Sequence, residues 1–230
     1  MIEIILLVSS VLFIFALKLF GRPSTAHRAN TFAMLAMALA VFSAFNFDFS
    51  KYDSAFYITI VVSGLLGVLI SKRVQMTQMP ELVGLFNGFG GGASGAIAYV
   101  ELSGNSLPLS DVFVAIFSMV IGIFTFSGSL VAVMKLRGKL NNFNKKLADI
   151  FSVFLPTIIV FPAVLEMDDL LMEFIILVSL IAGLIRVAVI GGADMPVVIA
   201  FLNSLSGIAA MSAGFIVNSI FLFVAGALVG

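Results

Sequence analysis

The hydrocarbon of a bilayer is about 30 Å thick, and a helix needs roughly 20 apolar residues at 1.5 Å each to cross it. This chain of 230 residues is a succession of such runs joined by short loops. The runs fall near 3–20, 31–47, 55–71, 81–100, 112–134, 147–165, 170–190, 196–216 and 218–230. Eight are long enough to span. The ninth covers roughly 20 Å and stops at Gly230 with no polar flank, so it reads as a helix cut part-way through, in a piece of a longer chain. The expected fold is all-α: one polytopic transmembrane bundle over residues 1–230, with eight full spans and a partial ninth.

Charge content agrees with that reading. Only 10% of the residues are charged and 61% are hydrophobic, with a mean hydropathy of +1.22. A soluble domain keeps roughly a quarter of its residues charged. The formal net charge is zero, which gives no grip on nucleic acid. There is no cysteine, so disulfides, thiolate metal sites and thiol nucleophiles are excluded together, and the single histidine, His27, cannot build a multi-histidine metal centre. No catalytic, metal or cofactor-binding residue is expected on this chain.

Basic residues orient the spans. Eleven of the twelve flank the loops after spans 1, 3, 5 and 7, among them Lys18, Lys72, Arg73, Lys135, Arg137 and Arg186. Lys51 alone lies on the other side, where Glu3, Asp53, Glu101, Asp111 and Asp168 gather. This predicts an N-terminus outside. Tyr52, Tyr57 and Tyr99 fall near the outer boundary, where an amphipathic ring belongs. Span 1 carries its positive charges after the apolar run, unlike a cleaved signal peptide, and reads as a retained helix.

Spans 4 and 8 look alike. Met79-Pro80 and Met195-Pro196 open them, Asn87 and Asn203 follow each proline by seven residues, and Gly91 and Gly207 come later at the same offset of 116. Both leave the cytoplasmic face, so the repeat is parallel. Gly90-Gly91-Gly92-Ala93-Ser94-Gly95 in span 4 fits a dinucleotide fingerprint, but that motif requires a preceding strand and a polar phosphate pocket. In an apolar helix, small residues serve close helix packing.

The informative polar groups lie inside these spans. Asn87 and Asn203 bring amides into the hydrocarbon, where each must find hydrogen-bond partners. As interhelical glue such a group contributes about 0.6 kcal/mol. As a water-holding point on a proton path it would mark function, and the sequence favours neither reading. An amide does not titrate, so neither residue is the proton carrier itself. Ser127 and Ser129 in span 5, and Ser204 and Ser206 in span 8, would extend such a path or simply bond their own helices. At the cytoplasmic mouth, Asp194 suits a helix cap and Glu81 suits the positive end of a helix dipole. Arg186 is the cation nearest Asp194 in sequence. Each of the three would equally serve coupling to a cytoplasmic domain.

The runs Lys72-Arg73-Val74-Gln75-Met76-Thr77-Gln78-Met79-Pro80-Glu81-Leu82-Val83, Ser127-Gly128-Ser129-Leu130-Val131-Ala132 and Gly191-Gly192-Ala193-Asp194-Met195-Pro196-Val197-Val198, followed by Leu202-Asn203-Ser204 and Ser206-Gly207, resemble the beta subunit of proton-translocating NAD(P) transhydrogenase. The resemblance covers the whole chain. It implies nine membrane helices and a multi-pass subunit of the inner membrane. It also implies a C-terminal Rossmann domain for NADP(H) beyond the last helix, and an alpha partner that carries NAD(H) and further membrane helices, in a dimer of alpha-beta units. NADP(H) and NAD(H) would belong to that complex, with none bound by these residues. Asn203 would match the family's channel asparagine and Asp194 its aspartate at the cytoplasmic mouth. Asn87 stands where some members carry a membrane histidine, which moves the titrating group elsewhere. From another class, a secondary transporter with a midplane substrate site remains the alternative. Inverted repeats, broken helices and a charged midplane residue would mark it.

Overall fold

A computed structural model describes residues 2–44, 52–104, 107–140 and 168–230. Those residues form eight α-helices and no strand: α1 Ile2–Phe20, α2 Ala26–Ala44, α3 Ser54–Arg73, α4 Met79–Gly104, α5 Leu109–Leu136, α6 Asp169–Ala188, α7 Met195–Ile216 and α8 Ile220–Val229. The expected span at 147–165 lies outside the described residues. Five segments are long and apolar enough to cross a membrane: α1, α3, α5, α6 and Gly192–Ile216, which contains α7. Helix α2 opens with the polar His27, Arg28 and Asn30, and α4 is rich in glycine; neither is among the five. The helices overrun most of the apolar runs by a few residues, as in α2, which starts at Ala26 instead of 31. Backbone hydrogen bonding does not stop where hydropathy falls.

Local signals set the ends. Asp53 Oδ1 accepts from the Phe56 N–H at 3.0 Å and Asp168 Oδ1 from the Leu171 N–H at 2.8 Å, so two outward-predicted acids cap α3 and α6. Helix α5 closes with Gly138 at φ 64°. There the Gly138 N–H bonds the Lys135 carbonyl and the Lys139 N–H the Met134 carbonyl, the paired bonds of a Schellman turn. Asn218, at φ 53°, takes the left-handed conformation between α7 and α8. Both Met-Pro helices start in the same way. A three-residue 3₁₀ turn, Met76–Gln78 before α4 and Gly192–Asp194 before α7, precedes each at the repeat's own offset.

The chain divides into two compact units, Met1–Met79 and Pro80–Gly230. In the first, α1 packs on α2 through small residues, with Ala16, Ala29 and Ala36 fully buried. The Ser9 hydroxyl donates to the Ala36 carbonyl at 2.6 Å, and Phe15 meets Phe32 edge to face at 5.2 Å. In the second unit, α5 is the central element, packed against α4, α6 and α7. Gly84, Gly88, Gly91 and Gly95 of α4 recur at helical spacing on one face and touch neighbours, as does Gly92 beside them, which meets the Phe126 ring. A Cβ on Gly91 would lie 2.9 Å from the Gly122 carbonyl oxygen of α5. One on Gly183 of α6 would run into the Phe124 carbonyl and the Ser127 hydroxyl. Small residues thus let the helix backbones touch, the means by which helices associate in lipid.

Gly183→Ala is therefore expected to destabilise the second unit by about 1–3 kcal/mol, the usual cost of overpacking. Gly64→Ala on α3, where a new Cβ meets nothing within 4 Å, should be neutral or gain up to about 1 kcal/mol of helix propensity. Thermal unfolding of the two variants in detergent checks the contrast.

Candidate functional site

The Met-Pro start puts Asn87 at the ninth residue of α4, roughly 12 Å along the helix. Its side chain faces inward and is 7% exposed. The amide Nδ2 donates to the Ser129 hydroxyl of α5 at 3.0 Å. The Ser206 hydroxyl of α7 approaches Asn87 Oδ1 at 2.5 Å and the Asn203 backbone carbonyl at 2.9 Å. One amide thus joins three helices through two buried hydroxyls. In apolar surroundings each of these groups is costly to leave unpaired, so the cluster fixes the rotation of α4, α5 and α7 about their axes.

The other predicted path residues sit elsewhere. The Asn203 side chain is exposed on α7, so the two asparagines match in sequence position and differ in burial. Ser127 bonds its own helix at the Phe124 carbonyl, 3.1 Å away. The Ser204 hydroxyl donates to the Gly230 carbonyl at 2.7 Å. Of the six polar residues singled out in the sequence, Asn87, Ser129 and Ser206 come together.

Two buried hydroxyls of α5 extend the same face. Ser118 donates to the Ala209 carbonyl of α7 at 2.9 Å. Thr125 Oγ1 is buried with no hydrogen-bond partner among the described residues. Ser118, Thr125 and Ser129 follow one another by seven and four residues, a helical spacing that would have revealed the stripe in the sequence.

At the end of α5, two cations two residues apart reach in different directions. Arg137 Nε pairs with Glu81 Oε2 of α4 at 2.6 Å. Lys135 is 5% exposed, and its ammonium donates to the Ile190 carbonyl at 2.5 Å, just past the end of α6. A position flanking a loop does not reveal what either side chain reaches. Asp194 occupies the N-cap position of α7, yet its carboxylate makes no capping bond and is exposed. Arg186 is exposed on α6. Among the described residues, no three His, Asp or Glu side chains are placed to hold a metal. What the site offers is neutral hydrogen-bonding groups in series inside an apolar bundle, flanked by charge at one end.

These features define a polytopic membrane protein with a polar seam through its helices. A sequence-family model described as NAD(P) transhydrogenase beta subunit matches residues 2–230, and the chain belongs to that family. A protein named NAD(P) transhydrogenase subunit beta from Rhodospirillum rubrum is 32% identical over 238 residues, covering 97% of this chain and 51% of the relative. A second sequence of that name, from a designated strain of the same species, matches to the same extent. The chain therefore spans about half the length of the curated relatives it matches.

Asn87→Leu should lower stability by about 1–3 kcal/mol, because it takes the amide partner from the buried Ser129 hydroxyl and leaves Ser206 only the Asn203 carbonyl. Adding Ser129→Ala and Ser206→Ala to that variant should recover part of the loss. Additive losses in a thermal-unfolding cycle would show that the amide does not couple the three helices.

Proposed function

We propose that this chain is the membrane subunit through which proton passage is coupled to hydride transfer from NADH to NADP⁺. The observation that carries the proposal is the Asn87–Ser129–Ser206 cluster, a buried relay of groups that both give and accept hydrogen bonds. Family membership supports the same reading. Nothing in the cluster titrates, so it would pass protons through ordered water and leave charge uptake to groups outside it. Asp194, Glu81 and Arg186 would serve the other half of the task, contact with a nucleotide-binding domain at the cytoplasmic mouth.

The exposed amide of Asn203 favours a partner. An amide facing hydrocarbon would leave donors and acceptors unsatisfied, whereas membrane helices of an alpha subunit could meet it and extend the seam sideways. On this reading the chain contributes eight full spans and a partial ninth to a complex that includes a C-terminal NADP(H) domain and an alpha partner carrying NAD(H). The chain's N-terminus lies outside the inner membrane, and two alpha-beta units pair. A transporter with a midplane substrate site gains no support from the cavity between α5, α7 and α8. That space of about 530 Å³ is walled by Phe113, Ile116, Phe117, Met211, Phe215 and Phe223, with Ser212 its one polar side chain.

Two experiments bear on the proposal. In the complete complex, Asn203→Leu should assemble normally and lose proton movement and reverse hydride transfer together. Assembled enzyme that pumps at the normal rate would remove Asn203 from the path. Reporter fusions at Lys139 should read cytoplasmic and fusions at Gly104 external, and the reverse pattern would overturn the orientation.

A further inference from the structure

Lys135 is a long cationic side chain almost wholly withdrawn from solvent at the end of an apolar helix. Burying an ammonium is expensive unless it is well bonded. Here it reaches the Ile190 carbonyl at 2.5 Å, a charge-assisted bond at the negative end of the α6 dipole. Ile190 opens the turn between α6 and α7, and its N–H is itself tied to the Val187 carbonyl. The next residues, Gly191 to Asp194, lie against the end of α5, where a Cβ on Gly192 would sit 3.6 Å from the Lys135 carbonyl oxygen. Met195, the first residue of α7, is fully buried. The ammonium therefore fixes the place from which α7 starts.

The support for Lys135 is itself rigid. The Schellman turn at Gly138 closes the helix just after it. Below it, Val131, Ala132, Val187, Met195, Ile199 and Leu202 pack as one core shared by α5, α6 and α7. Ser206 lies eleven residues after Met195, roughly 16 Å along a continuous helix. A helix transmits displacement along its axis, so the height and rotation of α7 at the turn determine how Ser206 meets Asn87.

We propose that Lys135 is a positioning residue for the proton seam, fastening the α6–α7 turn to α5 so that Asp194 stays presented at the mouth and Ser206 stays in register with Asn87 and Ser129. The proposal rests on the proton-coupling function above. Lys135 does not carry the proton on this account. It sets the geometry of the groups that do.

The test uses the complete complex with Lys135→Met, which keeps an unbranched stem and removes the donor, and Lys135→Arg, which keeps a charged donor. Proton movement is read per assembled complex. The Met variant should fall at least tenfold, and the Arg variant should retain more than half of the wild-type rate. Spin labels on Lys139→Cys and Ala193→Cys give a second readout, since this chain has no cysteine of its own. Their distance distribution should be narrow in the parent and in the Arg variant, and broadened in the Met variant. A Met variant with unchanged pumping per complex, or with an unbroadened distribution, would overturn the proposal. Where Lys135→Met does not assemble, the Arg variant decides: assembled but below a tenth of the parent rate, it shows that donor position is not what matters. A parent complex that moves no protons would instead sink the proton-coupling function, which keeps the two failures apart.

Discussion

Helix α5 can serve as a hub because its neighbours come close enough for backbone to touch backbone. In lipid, apolar side chains gain little by leaving one apolar medium for another, so packing and hydrogen bonds must hold helices together. Gly91 against Gly122, and Gly183 against the Phe124 carbonyl, supply the first of these terms. Asn87 has a short side chain, and it meets the Ser129 hydroxyl because the adjacent glycines of α4 bring the two backbones together.

The same closeness makes polar groups possible and then makes them strict. Once water is excluded, the amide of Asn87 and the hydroxyls of Ser129 and Ser206 have few alternative partners, so their pairing sets the rotation of three helices. Ser118 does similar work one stretch along, at the Ala209 carbonyl. Thr125 breaks the pattern, with a buried hydroxyl that no described residue meets. It sits one turn from Ser129, and unpaired buried hydroxyls are uncommon in native structures. Function and stability share this stripe, because a series of exchangeable hydrogen bonds is both what a proton relay needs and what holds the bundle in register.

Charge is confined to the end. Arg137 ties α5 to the start of α4 through Glu81, and Lys135 ties it to the turn before α7 through Ile190. The Arg137 side chain is 51% exposed, and an ion pair so open to solvent contributes at most about 1 kcal/mol. The Lys135 bond is withdrawn from solvent and constrains more. The two helices with Met-Pro starts are thus both moored to one Schellman-capped end, an arrangement that the repeat at an offset of 116 does not by itself contain.

Much of this architecture was legible in the residues because the bilayer imposes a length and a polarity on any helix that crosses it. Apolar runs of about 20 residues, the Met-Pro starts and the Gly-Gly-Ala-Asp-Met-Pro run needed no coordinates to be read. The caps were not legible in the same way: Asp194 was the expected one and makes no capping bond, while Asp53 and Asp168, read only as outer-face acids, do. Facing was another matter. Asn87 and Asn203 hold equivalent places in matching segments, yet one is buried between helices and the other is exposed. Hydropathy is nearly uniform around these helices, so it carries no phase to say which side turns inward. Lys135 and Arg137 read as loop charges for the same reason: sequence places a cation near the membrane boundary and is silent on what its stem can reach. Tertiary packing decides this, because only the approach of α6 to α5 brings the Ile190 carbonyl within 2.5 Å of the Lys135 ammonium.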